Sequence, residues 1–405
     1  MISTPSQQSK IHTRIALLAI CLGYFMTILD LTIVNVALAN IQQQLNADVT
    51  GLQWIVDGYS LVFASFLLVG GALGDRIGGK NVFLAGLALF TLASTLCSAA
   101  PSLLILQIAR ALQGLGAALL VPTTLALLQT TISEASERAR AIGLWSAMGN
   151  IAAISGPILG GLLVNALSWR SVFLLNLPIG ILCFLLTSRF IAPAFHIDEQ
   201  KSINPLLALK LFQEKMFSAI NVVAVCHTFV FYGVLFILSL FLQQMKHYSA
   251  SLTGFALLPE FVCAFCASSL SGRLLISIGP RRVLLSGFFL SALACLAFIS
   301  VDARISYVLL ACMLAILGFG LSLVLPAMVG IVTSHAPKTQ AGIASGMLNV
   351  SRQVGGALGV AILGSFVGNQ QTFIAGMHLA FVVAVGVLAL GFVSTWFFTP
   401  EHKIS

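Results

Sequence analysis

The stretch GALGDRIGGK at residues 71–80 has a degraded second copy, GRLLISIGPR, at residues 272–281. The two copies lie 201 residues apart, and the second has lost the Asp-Arg pair of the first. Each copy stands between two long apolar segments, although only 8% of all residues are charged. A charged turn that recurs at half the chain length indicates two related membrane-embedded halves joined in tandem.

Two further motifs repeat at nearly the same distance. The pattern G-x-G-x5-P occurs at residues 114–122 and again, 204 residues later, at 318–326. The pattern G-x3-G occurs at 156–160 and again, 199 residues later, at 355–359. Three spacings that agree within five residues are hard to obtain by chance. The sequence therefore predicts an N-terminal bundle at 1–190, a cytoplasmic linker at 191–215 and a C-terminal bundle at 216–405.

The composition is that of a membrane protein. Hydrophobic residues make up 59% of the chain, and the mean hydropathy is +1.03. A membrane-spanning helix needs about 20 apolar residues, and only helices satisfy the backbone groups of such runs in lipid. We therefore predict an all-α membrane protein with twelve transmembrane helices in two pseudo-symmetric six-helix bundles. The spans lie near 15–36, 52–73, 82–99, 102–128, 141–164, 171–190, 217–242, 252–275, 283–300, 306–333, 342–366 and 376–398.

The formal charge of +8 reflects topology and does not indicate a nucleic-acid partner. With a cytoplasmic N-terminus, fifteen Lys and Arg residues fall on the inner side and only Arg170, Lys246 and Arg304 fall in outer loops. This bias places both termini in the cytoplasm. The first span has no small-residue cleavage site, so we expect it to be retained as a helix.

Three acidic residues lie inside predicted spans. Asp30 is in the first span, Asp57 in the second and Glu260 in the eighth, all in the outer half of the bilayer. Because Asp30 and Glu260 come from opposite halves, we expect both to line one central cavity. Carboxylates there would attract cationic substrates and carry an exchanged proton. Asp57 is nearest the surface, so it is also compatible with a merely solvated group.

Polar and cationic residues complete the predicted substrate and proton site. Arg110 and Gln113 are three residues apart, so they share one helix face. A cation at mid-membrane costs about 2.5–3.5 kcal/mol unless it is paired or hydrated, so we expect Arg110 to have a partner or to face water, and a purely structural pair is one explanation. His227 is compatible with proton transfer and, more simply, with a structural hydrogen bond. The other candidates are Tyr24 and Asn35, near Asp30 in the first span, and Arg352, whose partner the sequence leaves open.

Small residues also follow one another at close spacing in the fifth span. They are Gly149, Gly156, Pro157, Gly160 and Gly161. Residues of this kind four positions apart let membrane helices touch, and proline bends the segment. The residues alone therefore indicate helix packing.

The first charged turn matches G-x-L-x-D-R-x-G-x-[RK], and so resembles the loop between helices two and three of the major facilitator superfamily. The resemblance implies the fold of that superfamily, and it implies that this loop braces the two halves on the cytoplasmic side in the outward-open state. The gating residues would be Gly71, Asp75, Arg76, Gly78 and Lys80. Position 79 is Gly, where the family often has Arg, which implies that this cytoplasmic contact between the two halves is weaker here. The residues alone are also compatible with basic side chains that only anchor topology.

Other segments resemble the drug:proton antiporter-2 branch of the superfamily. They are LDLTIVNVAL at 29–38, the fifth-span motif, which resembles that of antiporting exporters, and WRSVFLLNLPIG at 169–180. The pattern R-x-x-Q-G at 110–114 resembles that in the fourth helix of proton-coupled facilitators, which implies that Arg110 tunes the proton affinity of a nearby carboxylate. Members of the branch have fourteen helices, and here the two central extra helices are missing. The resemblance implies a multidrug efflux pump.

We therefore expect proton-coupled efflux of amphipathic, cationic or aromatic compounds across the bacterial inner membrane by alternating access. The partners would be a small-molecule substrate, protons and the lipid bilayer, and the chain would act as a monomer without metal or cofactor, driven by the proton gradient. Alternatives are an exporter, less readily an importer, of one metabolite, and a non-transporting membrane sensor or scaffold. The sequence has no Gly-Lys-Ser/Thr phosphate loop, metal-ligand cluster or nucleophile elbow, so an enzyme is not expected.

Overall fold

The computed structural model describes residues 5–132, 134–192, 214–335, 341–368 and 370–398. Within these ranges the chain forms fourteen α-helices and no strand. The N-terminal half contains α1 (Pro5–Leu45), α2 (Val49–Ile77), α3 (Gly79–Ala99), α4 (Leu103–Thr131), α5 (Ala135–Ala166), α6 (Arg170–Leu174) and α7 (Asn176–Phe190). The C-terminal half contains α8 (Lys215–Leu240), α9 (Ala250–Ala256), α10 (Leu258–Ile278), α11 (Pro280–Phe298), α12 (Tyr307–His335), α13 (Ala341–Ser365) and α14 (Phe373–Phe398).

Eleven stretches of the described residues are long and apolar enough to cross a membrane. Two of them are broken helices, since α6 and α7 together form one span and α9 and α10 another. Helix α13, with 25 residues, occupies the position of the predicted eleventh span. The prediction of an all-α membrane protein is therefore confirmed. Most of the predicted linker lies outside the described residues. They also exclude residues 205–212, where the sequence PLLALKLF is compatible with a short amphipathic helix on the inner surface or with a plain linker.

The sequence repeat is also a repeat of backbone conformation. The turns after α1 and after α8 place Asn46 and His247, 201 residues apart, in the left-handed region, with φ of 48° and 54°. Two residues later Asp48 and Ser249 cap the next helix, and each side chain accepts a backbone N–H three residues on. Such caps satisfy amide groups that a helix start leaves unpaired. We call the surface that carries these turns the far face.

The charged turns repeat in the same way at the opposite surface, which we call the turn face. Gly78 separates α2 from α3 with φ of 92°, and Gly279 separates α10 from α11 with φ of 86°. Residues with a Cβ rarely adopt this conformation, so glycine is required at both sites. The two positions are again 201 residues apart, which explains why glycine survives in the degraded copy.

A basic residue at the end of each charged turn fastens it to the last helix of its own half. The Nζ of Lys80 donates to the carbonyl of Ser188 at 2.9 Å, and the Nη2 of Arg281 donates to that of Trp396 at 2.7 Å. Both carbonyls lie in the final turn of a helix, where carbonyl groups lack helical partners and favour a cation. Lys80 thus braces the N-terminal half internally in this structure.

Hydrogen bonds between the two halves lie near the far face. The Nε2 of Gln244 donates to the Oε1 of Gln42 at 2.7 Å, and the Nε2 of Gln53 donates to the carbonyls of residues 360 and 361 at 3.0 and 2.9 Å. The Oγ of Ser251 donates to the carbonyl of Gly161 at 2.9 Å. A cavity of about 520 Å³ opens among polar side chains there, including Gln42 and Gln244. These bonds hold the halves together at that face.

Candidate functional site

A buried charged cluster occupies the interior of the N-terminal half. Asp30 of α1 is fully buried and forms an ion pair with Arg110 of α4. Two amides complete the carboxylate's environment, because the Nε2 of Gln113 donates to Oδ1 at 2.8 Å and the Nδ2 of Asn176 donates to it at 3.0 Å. Ser94 of α3 binds both amides, at 2.6 and 3.0 Å. Four helices thus meet at one titratable group.

Arg110 is compensated on every side. Besides Asp30, its guanidinium donates to the carbonyl of Ile55 at 3.0 Å and to the Oε1 of Gln113 at 2.7 Å. Its Cζ lies 4.4 Å from the centre of the Tyr59 ring, in cation–π geometry. A buried ion pair is tolerated when such bonds satisfy the remaining donors and acceptors. The sequence predicted Arg110 and Gln113 on one face but missed Asn176, whose signal was a lone amide inside the apolar sixth span.

A second polar group lies where the two halves meet. Tyr24 of α1 stacks on Trp145 of α5 with ring centroids 3.9 Å apart, and it packs against Gly149, where an added Cβ would lie 2.6 Å from the ring. The phenols of Tyr24 and of Tyr232 in α8 lie within electrostatic range of Arg352 in α13. Tyr24, Trp145, Tyr232 and Arg352 are each partly exposed, so they border space that water can enter.

Arg352 has only one side-chain hydrogen bond in the described chain. Its Nη1 donates to the Oδ1 of Asn349 at 3.2 Å, while its Nε is buried without a partner. No described carboxylate lies within ion-pair distance of it. Arg352 is therefore an uncompensated cation, in contrast to Arg110.

His227 adopts the structural role that the sequence left open. Its Nε2 lies 3.0 Å from the carbonyl of Leu321, so Nε2 carries the hydrogen and donates it. The ring is parallel to that of Phe231 at a centroid distance of 6.4 Å. Nδ1 is buried without a partner and is free to accept. Asn35 is likewise engaged locally, because its Nδ2 donates to the carbonyl of Leu31 at 3.0 Å.

The predicted shared cavity for Asp30 and Glu260 is wrong for this structure. Asp30 is 0% and Glu260 1% exposed, so neither borders a void that holds water. The reason is that Asp30 turns toward its ion-pair partner in its own half, whereas Glu260 lies at the crossing of α10 and α12. There an added Cβ on Gly318 would meet the backbone of Glu260, as one on Gly114 would meet Tyr59 in the first half.

Two of the predicted acids have unpartnered oxygens. Both carboxyl oxygens of Glu260 and the Oδ1 of Asp57 are buried without a hydrogen bond among the described residues. Asp57 is 6% exposed, so the alternative of a solvated surface group is wrong. The three acids therefore occupy separate environments, and Asp30 alone is built into a polar network.

The fifth-span motif presents glycines on two faces of α5. On one face, an added Cβ on Gly160 would lie 2.8 Å from the carbonyl of Ile33 in α1, and one on Gly156 would lie 3.0 Å from its amide. On the other face, a Cβ on Gly161 would lie 2.8 Å from the Cα of Ser251 in α9. The backbone of Pro157 lies against Gly254 of α9 in the same way. The motif therefore joins α5 to its own half and to the other half.

Among the described residues, no hydrogen bond or ion pair joins the gating residues of the charged turn to the second half. Asp75 and Arg76 are exposed, and neither side chain has a hydrogen bond or ion pair within the described part of the chain. Gly71 lies beside Pro122, where an added Cβ would make an ordinary contact at 3.7 Å. Gly78 and Lys80 thus hold the turn in place. The side chains of Asp75 and Arg76 have no partner among the described residues.

Two pseudo-symmetric helical bundles around internal charged groups define a membrane transporter of the duplicated type. The chain belongs to the Major Facilitator Superfamily, whose family model matches residues 20–360 and 261–405. A bacterial homologue of the human lysosomal transporter Spinster, in an inward-facing and occupied conformation, has the same fold. Its TM-score is 0.78 at 17% identity, with 100% of both chains covered.

Two curated relatives come from bacteria. The methylenomycin A resistance protein of Bacillus subtilis is 31% identical over 451 aligned positions, which cover 98% of this chain and 97% of the relative. The multidrug resistance protein Stp of Mycobacterium tuberculosis is 35% identical, covering 87% and 75%. The 451 positions exceed the 405 residues of this chain by 46. The first relative therefore contains extra residues, enough for two spans. Membership of the fourteen-helix branch stays a prediction.

Proposed function

We propose that the protein exports amphipathic aromatic compounds in exchange for protons, by alternating access of its two halves. The observation that carries the proposal is Asp30, a fully buried carboxylate held by Arg110, Gln113 and Asn176. Acidic side chains inside membrane helices are costly, and they typically mark ion pathways or proton relays. The proton gradient would supply the energy, without a bound cofactor.

Protonation of Asp30 would remove one charge of its ion pair with Arg110. Arg110 would then be a buried cation with reduced compensation, and α4 would favour a position that restores it. Helix α1 carries both Asp30 and Tyr24, six residues or about 9 Å apart along the axis. Proton binding at Asp30 would thus move α1, the helix that contacts the other half through Tyr24. The exchanged proton and the substrate would then both act on α1.

Alternation would exchange contacts between the two faces. The bonds between Gln42 and Gln244 and between Gly161 and Ser251 must open before the far face can release substrate. In that state Asp75 and Arg76, exposed here, would engage the second half at the turn face. The turn would then act as the brace that the sequence motif implies.

The relatives named for drug resistance support export as the direction. The positive-inside bias supports a turn face and chain ends in the cytoplasm of a bacterial inner membrane. The charge pattern therefore assigns substrate release to the far face. We propose that one chain is sufficient, since the Asp30 cluster is built entirely from residues of one half.

The test is transport by inverted membrane vesicles that contain the full chain. Wild-type vesicles should accumulate amphipathic aromatic dyes when the lumen is acidified, and a protonophore should abolish the accumulation. Asp30→Asn should lose proton-driven accumulation while the protein remains in the membrane. Asp302→Asn, which removes the same charge from an exposed loop, is the control. Unchanged proton-linked accumulation by Asp30→Asn would remove that residue from the mechanism.

A dedicated exporter of one compound is the second candidate. The methylenomycin A resistance protein favours this candidate, because it aligns over nearly the whole chain and is named for a single antibiotic. A panel of structurally unrelated dyes and antibiotics separates the two functions. Proton-driven export of several of them supports a multidrug pump, and export of a single compound supports the dedicated carrier.

A further inference from the structure

Arg352 lies deep within the membrane-spanning region. It is 11 residues from the start of α13 and 13 from its end, so at about 1.5 Å per residue it is more than 16 Å from either end. A guanidinium at such a depth requires a counter-charge or water. Arg352 keeps its charge at any working pH, so deprotonation does not relieve the cost.

Among the described residues, no carboxylate forms an ion pair with Arg352. Asp30 is committed to Arg110. Glu260 lies at the α10–α12 crossing, against Gly318, and is not an ion-pair partner of Arg352. The one side-chain acceptor of Arg352 is the neutral amide of Asn349. The two intramembrane arginines therefore differ. Arg110 is neutralised inside its own half, whereas the side chain of Arg352 has no described counter-charge and is partly exposed.

The surroundings of Arg352 are aromatic and come from both halves. Tyr24 and Trp145 form a stacked pair from α1 and α5. From α8, Tyr232 packs on Gly356, where an added Cβ would lie 2.7 Å from the ring, one helical turn beyond Arg352. Flat side chains around a forked donor suit a planar ring system that carries an acidic group.

We propose that the space between the halves binds the acidic group of a planar aromatic compound through Arg352, with Tyr24, Trp145 and Tyr232 against its rings. The substrate class is thus aromatic carboxylates and phenolates, which deepens the proposed function and rests on it. The expected preference for cations depended on Asp30 and Glu260 lining that space, and they do not. A guanidinium there repels cations, and a bound carboxylate would supply the missing counter-charge.

The test compares fluorescein and rhodamine 123, which share a xanthene ring system but carry opposite charge at neutral pH. Fluorescence anisotropy measures the binding of each dye to the purified full-length protein in detergent, without any need for transport. We expect wild type to bind fluorescein at least tenfold more tightly than rhodamine 123. Arg352→Gln should weaken fluorescein binding tenfold or more, because charge-assisted hydrogen bonds are lost. Arg304→Gln, which neutralises an exposed loop arginine, should change neither affinity.

A second variant protects the test against misfolding. Asn349→Asp places a carboxylate where an oxygen already accepts from Arg352, so it should neutralise the arginine from within. It should abolish fluorescein binding. The new ion pair should offset the hydrogen bond that Asn349 Nδ2 donates to the carbonyl of Ser345 at 3.1 Å, so the melting temperature should not fall. Preferential binding of rhodamine 123 by wild type, or unchanged fluorescein binding by Arg352→Gln and Asn349→Asp, overturns the proposal. Proton-driven rhodamine transport with no fluorescein binding would overturn the inference alone, whereas fluorescein binding without any proton-driven transport would overturn the proposed function alone.

Discussion

Two arginines inside the membrane-spanning region differ in how their charge is compensated. Arg110 has an ion-pair partner, two further acceptors and an aromatic face, so it is part of the packed interior of one half. Arg352 has one amide acceptor and an unpartnered Nε next to the boundary of the halves. We therefore base the two proposed roles, coupling for Arg110 and substrate binding for Arg352, on how each charge is compensated. Both arginines lie within membrane-spanning helices, so their positions along the helix do not distinguish them.

The Asp30–Arg110 pair makes a stability prediction. Asp30→Asn leaves Arg110 buried with its charge uncompensated, so it should lower the free energy of unfolding by about 3–5 kcal/mol. In Asp30→Asn/Arg110→Gln neither charge remains, and we expect most of that loss to be recovered. Unfolding of the purified protein, followed by circular dichroism in mixed detergent, measures both. A double variant less stable than Asp30→Asn would contradict a dominant charge effect.

Residue types revealed the candidate groups but not their partners. Asp30, Arg110 and Gln113 were recognisable because polar and charged residues inside a membrane span are costly and usually have a functional or structural role. The ion pair itself joins residues 80 positions apart, and only helix packing decides that Asp30 faces Arg110 and not Glu260. The prediction of a shared acidic cavity failed for this reason.

At the scale of the element, α5 connects the two halves through small residues. Gly156 and Gly160 lie against α1, while Pro157 and Gly161 lie against α9 at the far face. An α-helix advances 100° per residue, so neighbouring positions of one motif necessarily reach different partners. This explains why the motif needs paired small residues at 156–157 and 160–161.

Gly161→Ala should therefore open the far face. The added Cβ would lie 2.8 Å from the Cα of Ser251, too close for a backbone neighbour to yield without moving α9. Spin labels on Gln43→Cys and Gln243→Cys, which line the far-face cavity and leave the bond between Gln42 and Gln244 in place, report this opening. In a background without other reactive cysteines, double electron–electron resonance should show a larger population of long distances. Gly143→Ala in the same helix meets nothing within 4 Å and is the control. Equal distance distributions in both variants would contradict this role.

The sequence predicted the spans well and their interruptions poorly. The sixth and eighth spans were expected to be continuous, but each consists of a short and a long helix, with breaks at Leu175 and Leu257. Pro259 explains the second break, since proline lacks an N–H and is best placed in the first turn of a new helix. Hydropathy does not reveal such breaks, because both pieces are equally apolar.

At the scale of the whole molecule, duplication is what made the fold predictable. Turn conformations, helix caps and glycine crossings all recur about 201 residues apart, so each half supports the interpretation of the other. The conformational state could not be predicted, because it depends on a small free-energy difference between contacts at two faces. Here the far-face hydrogen bonds are formed, and the side chains of Asp75 and Arg76 are exposed and have no partner among the described residues.

Exchange of an anionic substrate for a proton has an electrical consequence. An anion that leaves the cell while a proton enters moves two charges in the same electrical direction, whereas a monovalent cation exchanged for one proton moves none. Each charge is worth about 2.3 kcal/mol per 100 mV. The membrane potential alone should therefore drive fluorescein export. In inverted vesicles with the same strong buffer on both sides, valinomycin and an inward potassium gradient create a lumen-positive diffusion potential at equal pH. This potential should raise fluorescein accumulation in wild type. Vesicles with Arg352→Gln or Asp30→Asn measure the passive leakage of fluorescein. Wild-type accumulation that does not depend on the potential would contradict anion–proton exchange.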